Sequence, residues 1–579
     1  MPDAISNPTA ARTAIRDAPE SLKDTIESIV VALILAFVFR AFIVEAFVIP
    51  TGSMAPTLYG AHGTILCEDC GVEFAYGLRD PEDTRKGQQV LNSSEAVCPN
   101  CGHANRYLPY NDEIGNPDKG DRILVLKWPF DIDGGLLGPH RWDVVVFKDP
   151  SDGVTNFIKR LIGLPNEVLM LLDGDVFTVP IAELSDEARR EFERYVDEKY
   201  AHLNSKRAGP PLMPVGPDVF AELDGKLAIR RKTPEAQAAL WMLVYDHDHP
   251  PRTLDRSQPR WRPQLGEASG WRATDRRIEF VDAGRPGDYL ELVGRPIQAT
   301  NAYNIYDGPS PPYVSDVRVS FVWIPEGADA SVHVRLAKHR RPFWATVSAD
   351  GRVSLSSSAS LPVDDRSVMA MEQLPAFVLG RAVEIAFQNV DYRLSVQVAG
   401  EDVVGSSADP ESKAYYGPNV RALRNLENGF TRARNRDVYP SEPPRIYGSN
   451  GDFDLTHLLV QRDVHYFHND RFASFPTEPW APSTGWGSSV SPIYLRQGEY
   501  FMLGDNTAAS KDSRLWDERG QHLIDRGSAF QLGTVPRDQM IGKAFFVYWP
   551  SGQRLDWLPI PILNRLGLIP DVGKMRWIR

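Results

Sequence analysis

The sequence predicts a mainly β protein of several domains with one apolar helix near its start. The chain has 579 residues, several times the usual length of about 100–150 residues for one domain. Short runs rich in Val, Ile and Leu, bounded by Gly, Pro or Asp, recur along most of it and are typical of strands. The segment from Ile26 to Ile49 is predominantly apolar and is long enough for a membrane-crossing helix.

The composition is that of a globular protein and excludes several classes. Apolar residues make up 42% and charged residues 24%, so the chain is neither disordered nor collagen-like. Its net charge of −12 argues against a nucleic-acid-binding protein, because such proteins use a positive field. Four cysteines are too few for a disulfide scaffold of this size.

The apolar segment is interpreted as an uncleaved transmembrane anchor over residues 26–48. It carries no charge between Ser28 and Phe39, and Arg40 and Glu45 lie near its outer end. A cleavable signal peptide is disfavoured, because no small-x-small site followed by a polar mature start comes after the apolar run. A buried helix of a soluble domain is the remaining alternative, since the uncharged part is short.

Strand-like runs fall into an early and a late group. The early runs are Asp121–Lys127, Asp143–Lys148, Val154–Leu161 and Glu167–Leu172. A densely charged segment with helical spacing, 182–200, follows and predicts a surface helix. From about Val317 short alternating runs return, which predicts an antiparallel sandwich of jelly-roll type.

Ser53 is a candidate nucleophile. It lies in Pro50–Leu58 (PTGSMAPTL), directly after the apolar segment, and Gly52 allows another chain to approach the backbone closely. The backbone N–H of Ser53 and the hydroxyl of Thr51 could form a two-donor oxyanion site. An ordinary loop serine is the alternative interpretation of this fragment on its own.

Lys159 is a candidate general base. It lies in Asn156–Pro165 (NFIKRLIGLP), an apolar strand in which burial would disfavour the ammonium and lower the lysine pKa. Ser–Lys pairs are a known variant of the Ser–His–Asp arrangement. The alternative is a half-buried lysine whose ammonium reaches solvent.

A third cluster lies near the end of the chain, in Leu503–Arg514 (LGDNTAASKDSR). Gly-Asp-Asn is a turn signal, and Asp512 with Arg514 can pair and brace the loop. Ser510 could hydrogen-bond a lysine amine and orient it. On its own the cluster would be a surface turn.

Together these segments resemble bacterial type I signal peptidase, a family of membrane-anchored Ser–Lys endopeptidases that remove signal peptides from exported proteins. The stretches that match, in family order, are FVIPTGSMAPTLYG (Phe47–Gly60), GDRILVLK (Gly120–Lys127) with RWDVVVFKDP (Arg141–Pro150), FIKRLIGLPNE (Phe157–Glu167), MLGDNTAASKDSRLW (Met502–Trp516) and the closing GKAFFVYWP (Gly542–Pro550). Ordered matches of this kind are far more specific than any single motif.

The resemblance implies a role for each matching residue. Ser53 would be the nucleophile and Lys159 its general base. The Ser53 N–H and the Thr51 hydroxyl would hold the oxyanion, and Ser510 would position the lysine. No cofactor is expected for catalysis.

The resemblance also implies supporting and substrate-binding residues. Asp512 and Arg514 would support the site, and Ile49 and Ile158 would line shallow apolar pockets for small side chains at −1 and −3 of the cleavage site. One departure is Thr507–Ala509, where the family usually has Arg-Asp-Asn. The second is size, because the matches cover only about a third of the chain and a long insertion separates the lysine from Gly-Asp-Asn.

The four cysteines form two Cys-x-x-Cys-Gly knuckles, Cys67 with Cys70 and Cys98 with Cys101. This pattern predicts a tetrahedral structural zinc site, because each tight turn directs two thiolates to one point. Four cysteine ligands leave no open position for a catalytic water. Two disulfides are the alternative, since the segment would lie outside the cytoplasm.

The predicted fold is therefore a signal-peptidase-type β catalytic core with an N-terminal transmembrane helix, a zinc-ribbon-like insert and a β-sandwich-like insert. The predicted divisions are a tail (1–25), the anchor (26–48), a first core segment with the nucleophile (49–66), the zinc-ribbon-like insert (67–106), a second core segment with the general base (107–181), the large insert (182–485) and a third core segment (486–579).

The predicted function is cleavage of signal peptides after small-x-small sites at the cytoplasmic (inner) membrane, with a single-pass anchor and the catalytic domain on the extracytoplasmic side. Expected partners are signal peptides, the lipid bilayer and the secretion translocon, and no nucleic acid. One alternative is a binding or scaffold protein with a vestigial peptidase core. Self-cleaving transcriptional repressors share the Ser–Lys fold, but they are soluble and carry a DNA-binding module.

Overall fold

The structure is a computed structural model that describes residues 17–77, 95–106, 120–127, 130, 138–205, 215–252, 260–274, 276–285, 287–304, 311–361, 365–433, 442–468, 485–516, 520–524, 531–550 and 572–579. Within these residues the protein is mainly β, as predicted, and its named strands pair antiparallel.

The strands are numbered in chain order. The first third of the chain holds β1 (Val44–Val48), β2 (His62–Leu66), β3 (Glu73–Gly77), β4 (Glu95–Val97), β5 (Ala104–Arg106), β6 (Arg122–Leu126), β7 (Val144–Lys148), β8 (Asn156–Gly163), β9 (Glu167–Leu172) and β10 (Asp175–Pro180). The middle of the chain holds β11 (Ala228–Ile229), β12 (Met242–Asp246), β13 (Arg260–Pro263), β14 (Trp271–Ala273), β15 (Arg277–Phe280), β16 (Tyr289–Val293), β17 (Val317–Pro325), β18 (Ser331–Lys338), β19 (Arg341–Ser348), β20 (Arg352–Ser356), β21 (Val368–Gln373), β22 (Val383–Val390), β23 (Arg393–Val398), β24 (Glu401–Gly405), β25 (Arg445–Ser449) and β26 (Phe453–Arg462). The C-terminal region holds β27 (Ile493–Leu495), β28 (Glu499–Leu503), β29 (Val535–Pro536), β30 (Met540–Trp549) and β31 (Arg576–Trp577).

The helices are fewer. They are Asp17–Phe42, Asp186–Ser205, Pro217–Lys226, Pro234–Leu240, Val420–Ala433 and Gln521–Ile524. The charged segment predicted as a helix over 182–200 corresponds to Asp186–Ser205. Its apolar side is buried, and Phe192 stacks on Tyr494 with ring centroids 5.2 Å apart.

The N-terminal helix ends earlier than predicted. Among the helices in the described part of the chain, none combines the length and the apolar character that a membrane crossing requires. The outer limit of the predicted anchor, 26–48, is wrong, because the helix ends at Phe42 and Val44–Val48 form β1. Pairing with β6 satisfies the backbone of β1, and Glu45 forms an ion pair with Lys127 at 3.2 Å.

The main sheet brings the two ends of the chain together. Its order is β1-β6-β30-β7-β8-β28-β29, with β31 added alongside β30. One apolar cluster contains Ile49, Met54, Ile123 and Val146, and a second contains Val145, Phe147 and Met502 among others. Neighbouring residues of β7 therefore belong to different clusters, as strand alternation requires.

The middle of the chain forms two larger sheets that share one core. Their orders are β14-β15-β26-β17-β22-β23-β24, with β12 alongside β26, and β13-β16-β25-β18-β19-β20-β21. Buried side chains of both sheets, such as Phe321 and Phe343, belong to the same cluster. That cluster also includes Val168 of the four-stranded sheet β11-β10-β9-β27, so the insert packs against the core over a continuous apolar region.

Candidate active site

Ser53 and Lys159 lie in contact although 106 positions separate them in the chain. Ser53 is on a single 3-10 turn, Gly52–Met54, that follows β1, and Lys159 is on β8. The Nζ of Lys159 donates a hydrogen bond of 2.5 Å to the Oγ of Ser53. Ser53 is 6% exposed and Lys159 is 5% exposed, so the pair is largely shielded from water.

Burial sets the acid–base character of the lysine. Desolvation lowers the pKa of Lys159 to about 8, and the carboxylates of Asp512 and Asp505 offset part of this effect. An amine with such a pKa is neutral in about one molecule in ten at pH 7, far more often than a lysine with the usual pKa. A neutral amine can accept the proton of a hydroxyl that contacts it.

The predicted supporting pair, Asp512 and Arg514, is a buried bidentate ion pair. Arg514 donates from Nε to Oδ1 at 2.9 Å and from Nη2 to Oδ2 at 2.7 Å. The backbone N–H of Gly504 donates to the same carboxylate at 2.9 Å. Burial alone would raise the pKa of Asp512. The ion pair with Arg514 lowers the pKa by more than burial raises it, so the pKa lies below the usual value. The carboxylate is thus ionised and already paired with a cation.

A second buried bidentate pair, Arg160 with Asp505, was not anticipated. Arg160 donates from Nε at 2.8 Å and from Nη2 at 2.7 Å, and Thr57 Oγ1 donates to the same carboxylate at 2.6 Å. The pair connects β8 and the Gly-Asp-Asn turn with the segment that carries Ser53. The sequence contains one indication of each partner: Arg160 is next to Lys159, and Asp505 lies in the third cluster.

Ser510 lies close to Ser53 and is fully buried. A Cβ on Gly504 would be 2.2 Å from Ser510 Oγ and 2.5 Å from the backbone oxygen of Ser53, so only glycine leaves room for this packing. Its hydroxyl helps to lower the pKa of Asp512, although among the described residues no hydrogen bond of normal geometry from Ser510 Oγ is found. Its positioning of Lys159 stays a prediction.

Three predicted residues flank the dyad. Thr51 is exposed and extended at the start of the nucleophile turn, and its oxyanion role stays a prediction. Ile49 and Ile158 are 2% and 7% exposed and belong to one apolar cluster with Met54. Their role as pocket residues also stays a prediction.

In the pairing of the named strands, β8 has partner strands on both sides only at Arg160. Strand β7 pairs with it from Asn156 to Arg160, whereas β28 pairs with Arg160, Leu161 and Gly163. Within the described strands, the edge of 156–159 opposite β7 therefore has no partner strand. An extended peptide could add to this edge next to Lys159.

Asn506 is a further residue that the sequence did not single out as functional. Its backbone N–H donates to the carbonyl oxygen of Ser53 at 3.0 Å, and its side-chain amide donates to the carbonyl oxygen of Gly52 at 3.2 Å. Asn506 is 1% exposed. It thus holds the carbonyl groups of the two peptide units on either side of Ser53.

The four cysteines meet in a separate buried cluster. Their sulfur atoms all lie within 4.8 Å of one another, with Cys67 and Cys101 3.5 Å apart and Cys70 and Cys98 3.6 Å apart. A disulfide needs about 2.05 Å, whereas tetrahedral zinc with sulfur at about 2.3 Å places the sulfurs about 3.8 Å apart.

The two knuckles have the same backbone geometry. Gly71 and Gly102 each have φ of 76°, and each donates its N–H at 2.9 Å to the carbonyl oxygen of the first cysteine of its knuckle.

The four thiols influence one another. Hydrogen bonding with Cys101 lowers the pKa of Cys70, and hydrogen bonding with Cys70 raises the pKa of Cys101. The donor set, its spacing and its burial fit a soft divalent cation.

Comparisons with known proteins agree with the geometry. Residues 22–208 and 462–549 match the family model described as signal peptidase, peptidase S26. Signal peptidase I of Pseudomonas fluorescens is 31% identical over 137 residues, which are 24% of this chain and 30% of that protein. Signal peptidase I of Rickettsia bellii strain OSU 85-389 is 28% identical over 153 residues, 26% of this chain and 37% of that protein.

These alignments span about a third of the relatives' own length. Among solved structures, the carbohydrate binding module CBM66 from Bacillus subtilis aligns with 35% of this chain and 92% of its own, at 8% identity and a TM-score of 0.19, which supports no conclusion. Residues 22–208 and 462–549, the two segments that match the family model of signal peptidase, peptidase S26, contain Ser53, Lys159 and both bidentate pairs.

Proposed function

We propose that this protein is a membrane-bound serine endopeptidase that removes signal peptides from exported preproteins after small-x-small sites, using Ser53 and Lys159. The observation that carries the proposal is the 2.5 Å contact between Lys159 Nζ and Ser53 Oγ in a largely water-excluded position. The match of two segments to the family model of signal peptidase, peptidase S26, supports the same reaction.

The reaction follows from the positions of the two groups. As Ser53 Oγ attacks the scissile carbonyl, the neutral amine of Lys159 takes the hydroxyl proton. The negative charge on the carbonyl oxygen would be held by the Ser53 N–H and the Thr51 hydroxyl. The ammonium then gives its proton to the leaving amine as the C–N bond breaks. In the second half, Lys159 takes a proton from the water that attacks the acyl ester, and the ammonium returns this proton to Ser53 Oγ as the ester C–O bond breaks.

The unpaired edge of β8 suggests how the substrate binds. An extended peptide that pairs with 156–158 would run beside both members of the dyad. Ile49 and Ile158 are apolar and nearly covered, which leaves little room beside them. Such surroundings favour small side chains at the −1 and −3 positions.

The N-terminal helix is proposed as the membrane anchor. Its apolar side chains are strongly exposed, among them Ile29 at 54%, Leu35 at 62% and Phe37 at 67%, and transfer of such side chains into lipid is favourable. The anchor would hold the catalytic sheet at the extracytoplasmic face of the inner membrane. Substrates delivered by the translocon would arrive there with their own apolar segments in the bilayer.

The cysteine cluster is proposed as a structural zinc site held by Cys67, Cys70, Cys98 and Cys101. The purified protein should contain about one zinc per chain. Cys67→Ser with Cys70→Ser should abolish metal binding. Thiol titration that finds two disulfides and no metal would contradict the assignment.

Cleavage of a synthetic precursor with an Ala-x-Ala site tests the peptidase proposal. Ser53→Ala and Lys159→Ala should each reduce cleavage to background, whereas Lys148→Ala, an exposed lysine on the neighbouring strand, should cleave like the unaltered protein. Full activity in either dyad variant would refute the mechanism. An unaltered protein that neither cleaves nor reacts with a serine-acylating probe would instead favour a scaffold with a vestigial core.

A further inference from the structure

A short segment of the large insert, residues 301–304, lies against the nucleophile turn. We call it the contact loop. It falls between the two segments that match the family model, so it is additional to the shared peptidase core. Its four residues contact the Ser53 turn, the Gly-Asp-Asn turn and the hairpins that carry the cysteines.

The ring of Tyr303 packs directly on Gly52. A Cβ placed on Gly52 would be only 1.8 Å from Cε2 of this ring. The Tyr303 hydroxyl accepts a hydrogen bond of 2.8 Å from the backbone N–H of Gly60, and the ring stacks on Tyr59 with centroids 6.1 Å apart. Tyr303 is 7% exposed, so it fills the space behind the nucleophile turn.

The side chain of Asn301 completes the hydrogen bonding of Asn506. Asn506 Nδ2 donates to Asn301 Oδ1 at 3.0 Å, and Asn506 Oδ1 accepts from the N–H of Ala302 at 3.1 Å. The same Asn506 donates to the carbonyl oxygens of Gly52 and Ser53. The contact loop therefore reaches the peptide of the nucleophile through one shared side chain.

The contact loop is itself anchored on its far side. Its Tyr303 carbonyl accepts from the N–H of Gly77 at 3.2 Å, and Asn304 accepts from Val97 at 2.7 Å and donates to Ala75 at 2.9 Å. These contacts tie it to both cysteine-bearing hairpins. Because it is bonded on two sides, the loop can act as a fixed support.

We propose that Tyr303 and Asn301 are positioning residues for Ser53, so that the large insert is an integral part of the active site. Gly52 has no side chain and would otherwise sample many backbone conformations. The Tyr303 ring and the Asn506–Asn301 pair remove that freedom and keep Ser53 Oγ in contact with Lys159 Nζ. The inference rests on the proposed peptidase function for its effect on rate, but not for its effect on the nucleophile turn.

Two measurements on the full chain separate these effects. In Tyr303→Ala, we expect kcat to fall about tenfold or more with KM changed less than about twofold, since small misplacement of a catalytic group is costly. Amide hydrogen exchange of residues 52–60 should accelerate. Tyr303→Phe keeps the ring and should recover most of the rate. Asn301→Ala should give a smaller loss of kcat of about three- to tenfold.

Tyr416→Ala is the matched control, because Tyr416 is a tyrosine of the same insert, 3% exposed, that packs on Phe343. It should lower the melting temperature without changing kcat or the exchange of 52–60. Unchanged exchange of 52–60 in Tyr303→Ala, or an equal effect in the control, would overturn the inference. An unaltered protein without cleavage, but with exchange that responds to Tyr303, would refute the proposed function and leave the support of the turn standing.

Discussion

Lys159 on β8 and Lys338 on β18 are both buried lysines, but the carboxylates around them are arranged differently. Lys338 contacts Asp316 at 2.5 Å, Asp173 at 3.2 Å and Asp175 at 3.4 Å. Desolvation disfavours its ammonium, but Asp173 and Asp316 outweigh that effect and raise the pKa of Lys338 well above the usual value. Burial of Lys159 instead lowers its pKa to about 8.

The carboxylates near Lys159 are paired with arginines. In the catalytic region, Asp512 is held bidentately by Arg514 and Asp505 by Arg160. Arg514 opposes part of the field that Asp512 exerts on Lys159, and desolvation remains the largest influence on the lysine pKa. In the other site, the ammonium of Lys338 is the shared partner of Asp173, Asp175 and Asp316. In this protein, burial lowers the pKa of the lysine whose neighbouring carboxylates are paired with arginines, whereas the pKa of the lysine that is itself the partner of its carboxylates is raised.

The largest effect is expected from Lys338→Met. It leaves the buried Asp175 and Asp316 and the half-buried Asp173 without their shared ammonium, which should lower the free energy of unfolding by about 3–5 kcal/mol. Urea denaturation measures the loss. Lys148→Met, at an exposed lysine, should change stability by less than about 0.5 kcal/mol. Equal stability of the two variants would show that the carboxylates around Lys338 are protonated, and the contrast would fail.

Arg514→Met should make the catalytic pocket resemble that of Lys338. The unpaired Asp512 would then raise the pKa of Lys159, and cleavage at neutral pH should fall about 100-fold, for a rise of about two pKa units. The double variant Asp512→Asn with Arg514→Met carries neither charge and should recover much of the loss. If both variants are folded by circular dichroism and equally low in activity, Arg514 does not act by neutralising the charge of Asp512.

The pH dependence of the unaltered protein tests the lowered pKa of Lys159 without any substitution, and its expected effect is the smallest. Only the neutral amine of Lys159 accepts a proton, so acylation by a serine-reactive probe should rise through about pH 8 and fall about tenfold per pH unit below it. Because the unfolded chain binds more protons between this value and the usual lysine pKa, this group should make stability increase with pH in that interval. A rate independent of pH between about 6 and 9 would exclude Lys159 as the base.

Much of the candidate site could be predicted because its residues lie in short local motifs. The turn around Ser53, the apolar strand around Lys159 and the closely spaced Asp512 and Arg514 each have a recognisable pattern within a few residues. The last pair is two positions apart, and the structure shows it as a bidentate ion pair. Residue types and short spacing carry such information directly.

The contacts between distant segments could not be predicted in this way. Arg160 and Asp505 are 345 positions apart, and Tyr303 is 243 positions from Gly60. No periodicity or motif connects residues at such separations. The end of the N-terminal helix at Phe42 was missed for a related reason, because β1 exists only through its pairing with β6.

The amino-acid sequence alone determined the mainly β class, the chemical groups of the dyad and the four thiols, since these depend on local pattern and residue type. Tertiary structure alone decided that the pKa of Lys159 is lowered and that Lys338 is a paired ammonium. Both are lysines on apolar strands, and only the three-dimensional packing determines which buried carboxylates already have an arginine beside them.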